Sequence, residues 1–172
     1  MIATPTTKSA ARLLRGAGLA LGLGLAMTAT AAAQTKMPGT QVSPLGVVVD
    51  HGWTTLTTEA GNSTEGYFRI DNVGTTPDTL LSTSCPIAHH TVLLDSSGKK
   101  LGGIVIKPGE TLTMAPGGMH LMLTRNRYRF YAHGMIPCSV DFLDAGKLIL
   151  YLHVEQPGAK AYEQVRRPVI KD

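Results

Sequence analysis

The chain has 172 residues, with 16 Lys+Arg against 12 Asp+Glu and a formal net charge of +4 at neutral pH. Three of the basic residues, Lys8, Arg12 and Arg15, and none of the acidic ones, lie before residue 34, so the remainder is close to neutral, about +1. That balance gives little support for nucleic-acid binding, which usually wants a basic patch or stripe.

Lys8, Arg12 and Arg15 precede an apolar run from Gly16 to Met27, and Ala31-Ala32-Ala33 stands before Gln34. A basic n-region, a hydrophobic stretch too short to cross a bilayer and a small-residue cut site together predict a cleaved secretory signal peptide over 1–33. The mature protein is then expected in a bacterial periplasm, with no stable membrane insertion after cleavage. No Arg-Arg pair and no cysteine lies near the cut, so neither twin-arginine export nor a lipid anchor has support.

About 139 residues remain, the size of one domain with a real core. Short runs separated by Gly, Pro, Asn and Asp, with no sustained 3.6-residue period, predict an all-β sandwich or barrel. In chain order, 34–44 reads as a flexible leader and 45–155 as the β domain. Leu45 to Leu56 reads as a strand pair or one bent strand, and Gly66 to Asn72 as an alternating strand. Thr79 to Ser84 is a strand broken by Cys85-Pro86-Ile87-Ala88. His89 to Leu94 is extended and ends at the turn Asp95-Ser96-Ser97-Gly98. Leu101 to Ile106 and Thr111 to Met114 flank the turn Lys107-Pro108-Gly109-Glu110. Arg129 to Tyr131, Ile136 to Leu143 and Leu148 to Val154 are the last strands, the final two joined at Asp144-Ala145-Gly146-Lys147. Residues 156–172 read as a loosely held tail.

The stretch with chemistry in it is Ala115-Pro116-Gly117-Gly118-Met119-His120-Leu121-Met122-Leu123. On a strand, residues two apart share a face. His120 and Met122 therefore point one way, with Met119, Leu121 and Leu123 pointing the other. An imidazole nitrogen beside a thioether sulfur suits a soft ion, Cu(I), and not Mg²⁺ or Ca²⁺, which take oxygen. Pro116-Gly117-Gly118 makes a tight turn that sets the pair at a strand mouth. A lone H-x-M pair is by itself a weak signal.

His89 and His90 begin a strand thirty residues upstream. Adjacent strand residues face opposite ways, so only one of the two can join His120 and Met122. Met114 and Met135 read as core filler, Met119 as able to face either way, and His51, His133 and His153 as structural or exposed. Cys85 and Cys138, the two cysteines of the sequence, read as a disulfide in an exported protein; a redox pair or thiolate ligands is the alternative. Arg125, Arg127 and Arg129, spaced two apart, form one basic stripe if the strand continues, a solvated face or a docking patch for an acidic protein. No nucleophile with a patterned base and no G-x-S-x-G, C-x-x-C or H-E-x-x-H occurs, which argues against an enzyme.

Asp50-His51-Gly52-Trp53, Gly66-Tyr67-Phe68-Arg69-Ile70-Asp71-Asn72-Val73-Gly74 and Asp78-Thr79-Leu80-Leu81 resemble the front half of periplasmic copper chaperones of the PCu(A)C family. Ile106-Lys107-Pro108-Gly109-Glu110, Pro116 to Leu123 and Phe142-Leu143-Asp144-Ala145-Gly146-Lys147 resemble its back half, so the likeness covers about Val47 to Val154. The resemblance implies a cupredoxin-like Greek-key β-sandwich, monomeric, that binds Cu(I) and hands it to a copper-accepting periplasmic or membrane-anchored protein, on the route that assembles cytochrome oxidase. It carries over His120 and Met122 as ligands, with His90 as the upstream His. The family's upstream Met has no counterpart: Leu101 stands near its place, leaving His89, Met119 or a cysteine as substitutes. The rival functions are a thiol–disulfide protein cycling Cys85 and Cys138 on a copper-site partner, and a metal-free interaction sandwich.

Overall fold

The structure, a computed structural model, describes residues 40–162. The expected signal peptide, the first part of the leader and residues 163–172 of the tail lie outside the described residues.

Ten strands run in order: β1 (Gln41–Val42), β2 (Val47–Thr55), β3 (Thr64–Asn72), β4 (Asp78–Ser84), β5 (Ala88–Leu94), β6 (Ile104–Ile106), β7 (Thr111–Thr113), β8 (His120–Asn126), β9 (Met135–Phe142) and β10 (Lys147–Glu155). Hydrogen bonding links them as β5-β8-β3-β2-β10-β9-β4-β6, with β1 on β2 and β7 on β3. Only β10 and β2 pair in parallel among the described pairings. This sheet curls over one core, to which Phe68, Ile70, Leu121 and Leu123 contribute from one half, and Leu80, Val140, Leu150 and Leu152 from the other. No helix among the described residues is long and apolar enough to cross a membrane.

The alternation written in the sequence appears as alternating burial. β9 exposes Met135 and Pro137 and buries Ile136, Cys138, Val140 and Phe142, the period of two that a half-buried strand requires. β2 is the single bent strand. Its register on β3 shifts between Asp50 and Trp53, and His51 sits at φ 52°. The bend presses backbone on backbone: a Cβ at Gly52 would lie 2.4 Å from the Tyr151 carbonyl oxygen, so only glycine fits there.

Two buried polar side chains tie loops to the sheet. Asn72, 1 % exposed, donates to the carbonyls of Thr76 and Ile106 and accepts from the Gly74 amide. Asp78 accepts the amides of Thr79, Asp144 and Ala145, and so holds the turn between β9 and β10 from the neighbouring strand β4. Each satisfies groups that would otherwise be buried without a partner.

Several expectations are corrected. Arg129 to Tyr131 is not a strand. Phe130 is buried, and its amide donates to Thr57 Oγ1, so this segment is tied to the loop after β2 and not to a ladder. β8 ends at Asn126 and Arg125 sits at φ 49°; the three arginines therefore do not share a strand face, and no basic stripe forms. Arg129 instead lies over the Tyr131 ring, 4.5 Å from its centroid. Leu101 to Gly103 precede β6 without joining it. Met114 is core, but Met135 is 58 % exposed, because its alternation partner Ile136 takes the inward position. Gln41 and Val42 of the leader pair with β2. In the tail, Tyr162 packs edge-on against His51 and His153.

Candidate metal centre

β8 carries the H-x-M pair, and its orientation is fixed from behind. Leu121 and Leu123 are fully buried, each worth about 1.5–3 kcal/mol. Slipping the strand by one residue would expose both and bury His120 and Met122 in their place. Gly66 lies opposite Leu121 on β3 and leaves room for them: a Cβ there would meet Leu123 Cδ1 at 3.0 Å and Leu152 Cδ1 at 3.1 Å. The inner leucines thus place the imidazole and the thioether on the outer face, where both are half-buried.

The turn before β8 aims the imidazole. The Gly118 amide donates to the Ala115 carbonyl at 2.9 Å, and Ala115 N donates to Met119 O at 3.2 Å. Gly117 sits at φ 76°, the left-handed position that follows proline in a type II turn. His120 Nδ1 lies 2.9 Å from the Gly118 carbonyl oxygen. A carbonyl only accepts, so Nδ1 carries the proton and Nε2 keeps its lone pair, the arrangement of a metal-binding histidine whose other nitrogen is anchored to the backbone.

The neighbouring strands complete the outer face. On β5, Leu94 stands opposite His120, Val92 opposite Met122 and His90 opposite Thr124. His90 therefore shares the face, diagonal to Met122, but it is four residues along from His120, roughly 13 Å at the usual strand rise. His89 is exposed and falls where the ladder skips past Arg125. Met119 is partly buried and packs against the core. Leu101 also packs on the core, and its amide bonds Leu93 O. No group of three His, Cys, Asp or Glu that could hold a metal occurs among the described residues, so a hard-ligand or thiolate cluster does not compete with the H-x-M pair.

On β3, Glu65 stands directly opposite Met122, a placement that the sequence pattern did not single out. The Tyr67 hydroxyl donates to its Oε2, and the Tyr67 ring packs against Trp53 with centroids 4.4 Å apart. Burial, then the hydrogen bond to Glu65, push the Tyr67 phenol well above the ordinary tyrosine range, so it stays a donor.

Cys85 and Cys138 are disulfide-bonded and 2 % and 3 % exposed. Cys85 follows β4 where Ser84 pairs with Ser139, so the bridge staples β4 to β9 just before the chain crosses to β5. A sulfur pair this buried is closed to a partner's thiolate, which needs access to attack, and it offers no thiolate to copper.

Residues 47–154 match the model of a family described as LpqE-like, putative lipoprotein LpqE-like, and the chain belongs to that family. Its fold is that of PCuAC domains, cupredoxin-like. It is similar to a structure described as the copper-bound PCuAC domain from PmoF2, with TM-score 0.61 and 20 % identity over 69 % of this chain and 98 % of that one. The apo PCuAC domain from PmoF1 gives TM-score 0.62 and 20 % identity over 69 % and 99 %. The solution structure of CuI-DR1885 from Deinococcus radiodurans gives TM-score 0.51 and 19 % identity over 73 % and 85 %. No curated protein matches the chain.

Proposed function

We propose that this protein is a non-enzymatic carrier of Cu(I), working outside the cytoplasm, that holds the ion at His120 Nε2 and the Met122 sulfur and passes it to a copper-accepting protein. The observation that carries the reading is the outward His120–Met122 pair with Nδ1 anchored to Gly118 O. Support comes from the copper-bound state named for two proteins of the same fold. The donor set fits the ion: both donors are neutral and soft, and thioethers do not form disulfides in an oxidising compartment. His90 is the third candidate ligand. It shares the face, diagonal to Met122, but lies roughly 13 Å along from His120, so an ion bound by both would need the two imidazoles extended toward each other. Held by neutral groups on an open face, Cu(I) transfers readily to an acceptor offering thiolates, such as those met in cytochrome oxidase assembly. Both sulfurs of the Cys85–Cys138 bridge are buried, which counts against the thiol–disulfide reading, because exchange needs a sulfur that a partner can reach.

X-ray absorption at the copper edge of the Cu(I)-loaded protein tests this. Mixed nitrogen and sulfur scattering, with the sulfur lost in Met122→Ala, is expected. Nitrogen-only scattering, or sulfur that survives Met122→Ala, would contradict it.

A further inference from the structure

We infer that Glu65 is an oxygen ligand of the same site, and that it lets the site take Cu(II) as well as Cu(I). The inference rests on the proposed His120–Met122 reading and deepens it. Glu65 and Met122 are directly opposed on β3 and β8, and residues opposed across two strands have Cβ atoms about 5 Å apart on one face. Glu65 is half-buried, and its carboxylate is oriented. Tyr67 donates to Oε2, which leaves Oε1 to bind an ion. Tyr67 is itself fixed by Trp53, and the ladder of Thr64 on Leu123, Glu65 on Met122 and Gly66 on Leu121, continued by one residue, sets Tyr67 opposite His120. The hydrogen bond therefore draws the carboxylate along the strand toward the row of the imidazole.

The chemistry follows from charge and hardness. His120 and Met122 are both neutral, so a site of those two alone favours the monovalent soft ion. A carboxylate adds one negative charge and a hard oxygen, which favours the divalent ion and pairs with imidazole nitrogen, a ligand both oxidation states accept. The vacancy left by Leu101, packed away on the core, is thereby filled by an oxygen from the opposite strand and not by a second sulfur. Tyr67 is a positioning residue, acting on the ion only through the carboxylate it holds, as hydrogen-bond partners of metal ligands do.

The test titrates the full chain separately with Cu(II) and with Cu(I), each against a chelator of matched affinity, and records the Cu(II) electron paramagnetic resonance spectrum. Glu65→Gln keeps the shape and an oxygen acceptor for Tyr67 but removes the charge. It is expected to weaken Cu(II) binding at least 10-fold and change the spectrum, with Cu(I) affinity altered less than about 3-fold. Tyr67→Phe is expected to give a smaller loss for Cu(II) alone. Unchanged Cu(II) affinity and spectrum in Glu65→Gln would overturn the assignment, as would an equal loss for both ions. His120→Ala/Met122→Ala separates the two readings: if it keeps its affinity for both ions, the underlying site is wrong, whereas loss of both ions with no effect of Glu65→Gln removes only the carboxylate.

Discussion

The Gly118 carbonyl oxygen lies 2.9 Å from His120 Nδ1, so the turn that starts β8 also decides which nitrogen of the imidazole faces outward. Gly117, at φ 76°, makes that turn possible. Gly117→Val puts a branched side chain in the left-handed region, a conformation costing roughly 1–2 kcal/mol for an L-residue, and shifts the Gly118 carbonyl. The variant is expected to fold but to bind Cu(I) about 10-fold more weakly, as when other outer partners of metal-bound histidines are lost. Competition against a chromophoric Cu(I) chelator measures it.

Breaking the disulfide separates stability from binding. The Cys85–Cys138 bridge closes a span of 53 residues, worth about 4 kcal/mol in the chain-entropy account. Cys85→Ala/Cys138→Ala is expected to lower the denaturation midpoint by a corresponding amount while leaving Cu(I) affinity little changed, because the bridge joins β4 to β9 and not the strands of the site. Loss of copper binding in this variant at a temperature where it is folded would restore a role for the sulfurs.

From the adjacent strand, Asp78 holds the β9–β10 turn through the amides of Asp144 and Ala145, and it also accepts the amide of its neighbour Thr79. Asp78→Ala leaves those donors without their acceptor in a buried place, and a loss of about 2–4 kcal/mol is expected. Asp78→Asn, which keeps one acceptor oxygen, is expected to lose about half as much. Thermal unfolding of both variants measures the difference.

Much of this was legible in the residues. Strand positions followed from alternation and turn composition because each strand has one buried face. The outward direction of His120 and Met122 followed from Leu121 and Leu123. What failed was local geometry decided by tertiary contacts. Asn126 and Phe130 are buried, so the chain leaves β8 early and the arginine stripe does not form. Met135 looked like core filler because sequence gives no inner or outer sign to a strand's first residue. Glu65 was invisible for another reason: its neighbour Met122 is fifty-seven positions away in the sequence, and only the register of β3 on β8 joins them.

Stability at high pH reports on Tyr67. Its phenol is raised in the fold, first by burial and then by the bond to Glu65. A raised acid pKa means that the folded state keeps a proton the unfolded chain releases. The stabilisation is therefore complete below the ordinary tyrosine pKa of about 10 and declines as pH rises beyond it. Wild-type stability is expected to fall above that pH more steeply than that of Tyr67→Phe, as read by denaturant unfolding at stepped pH.

The central claim is that His120 and Met122 together hold one Cu(I). A competitive Cu(I) titration of the wild-type protein beside His120→Ala/Met122→Ala and His90→Ala tests it most directly. One tight equivalent in the wild type, lost in the double variant and weakened modestly in His90→Ala, is the predicted result. A wild-type protein that binds no Cu(I), or a double variant that binds as tightly as the wild type, would contradict it.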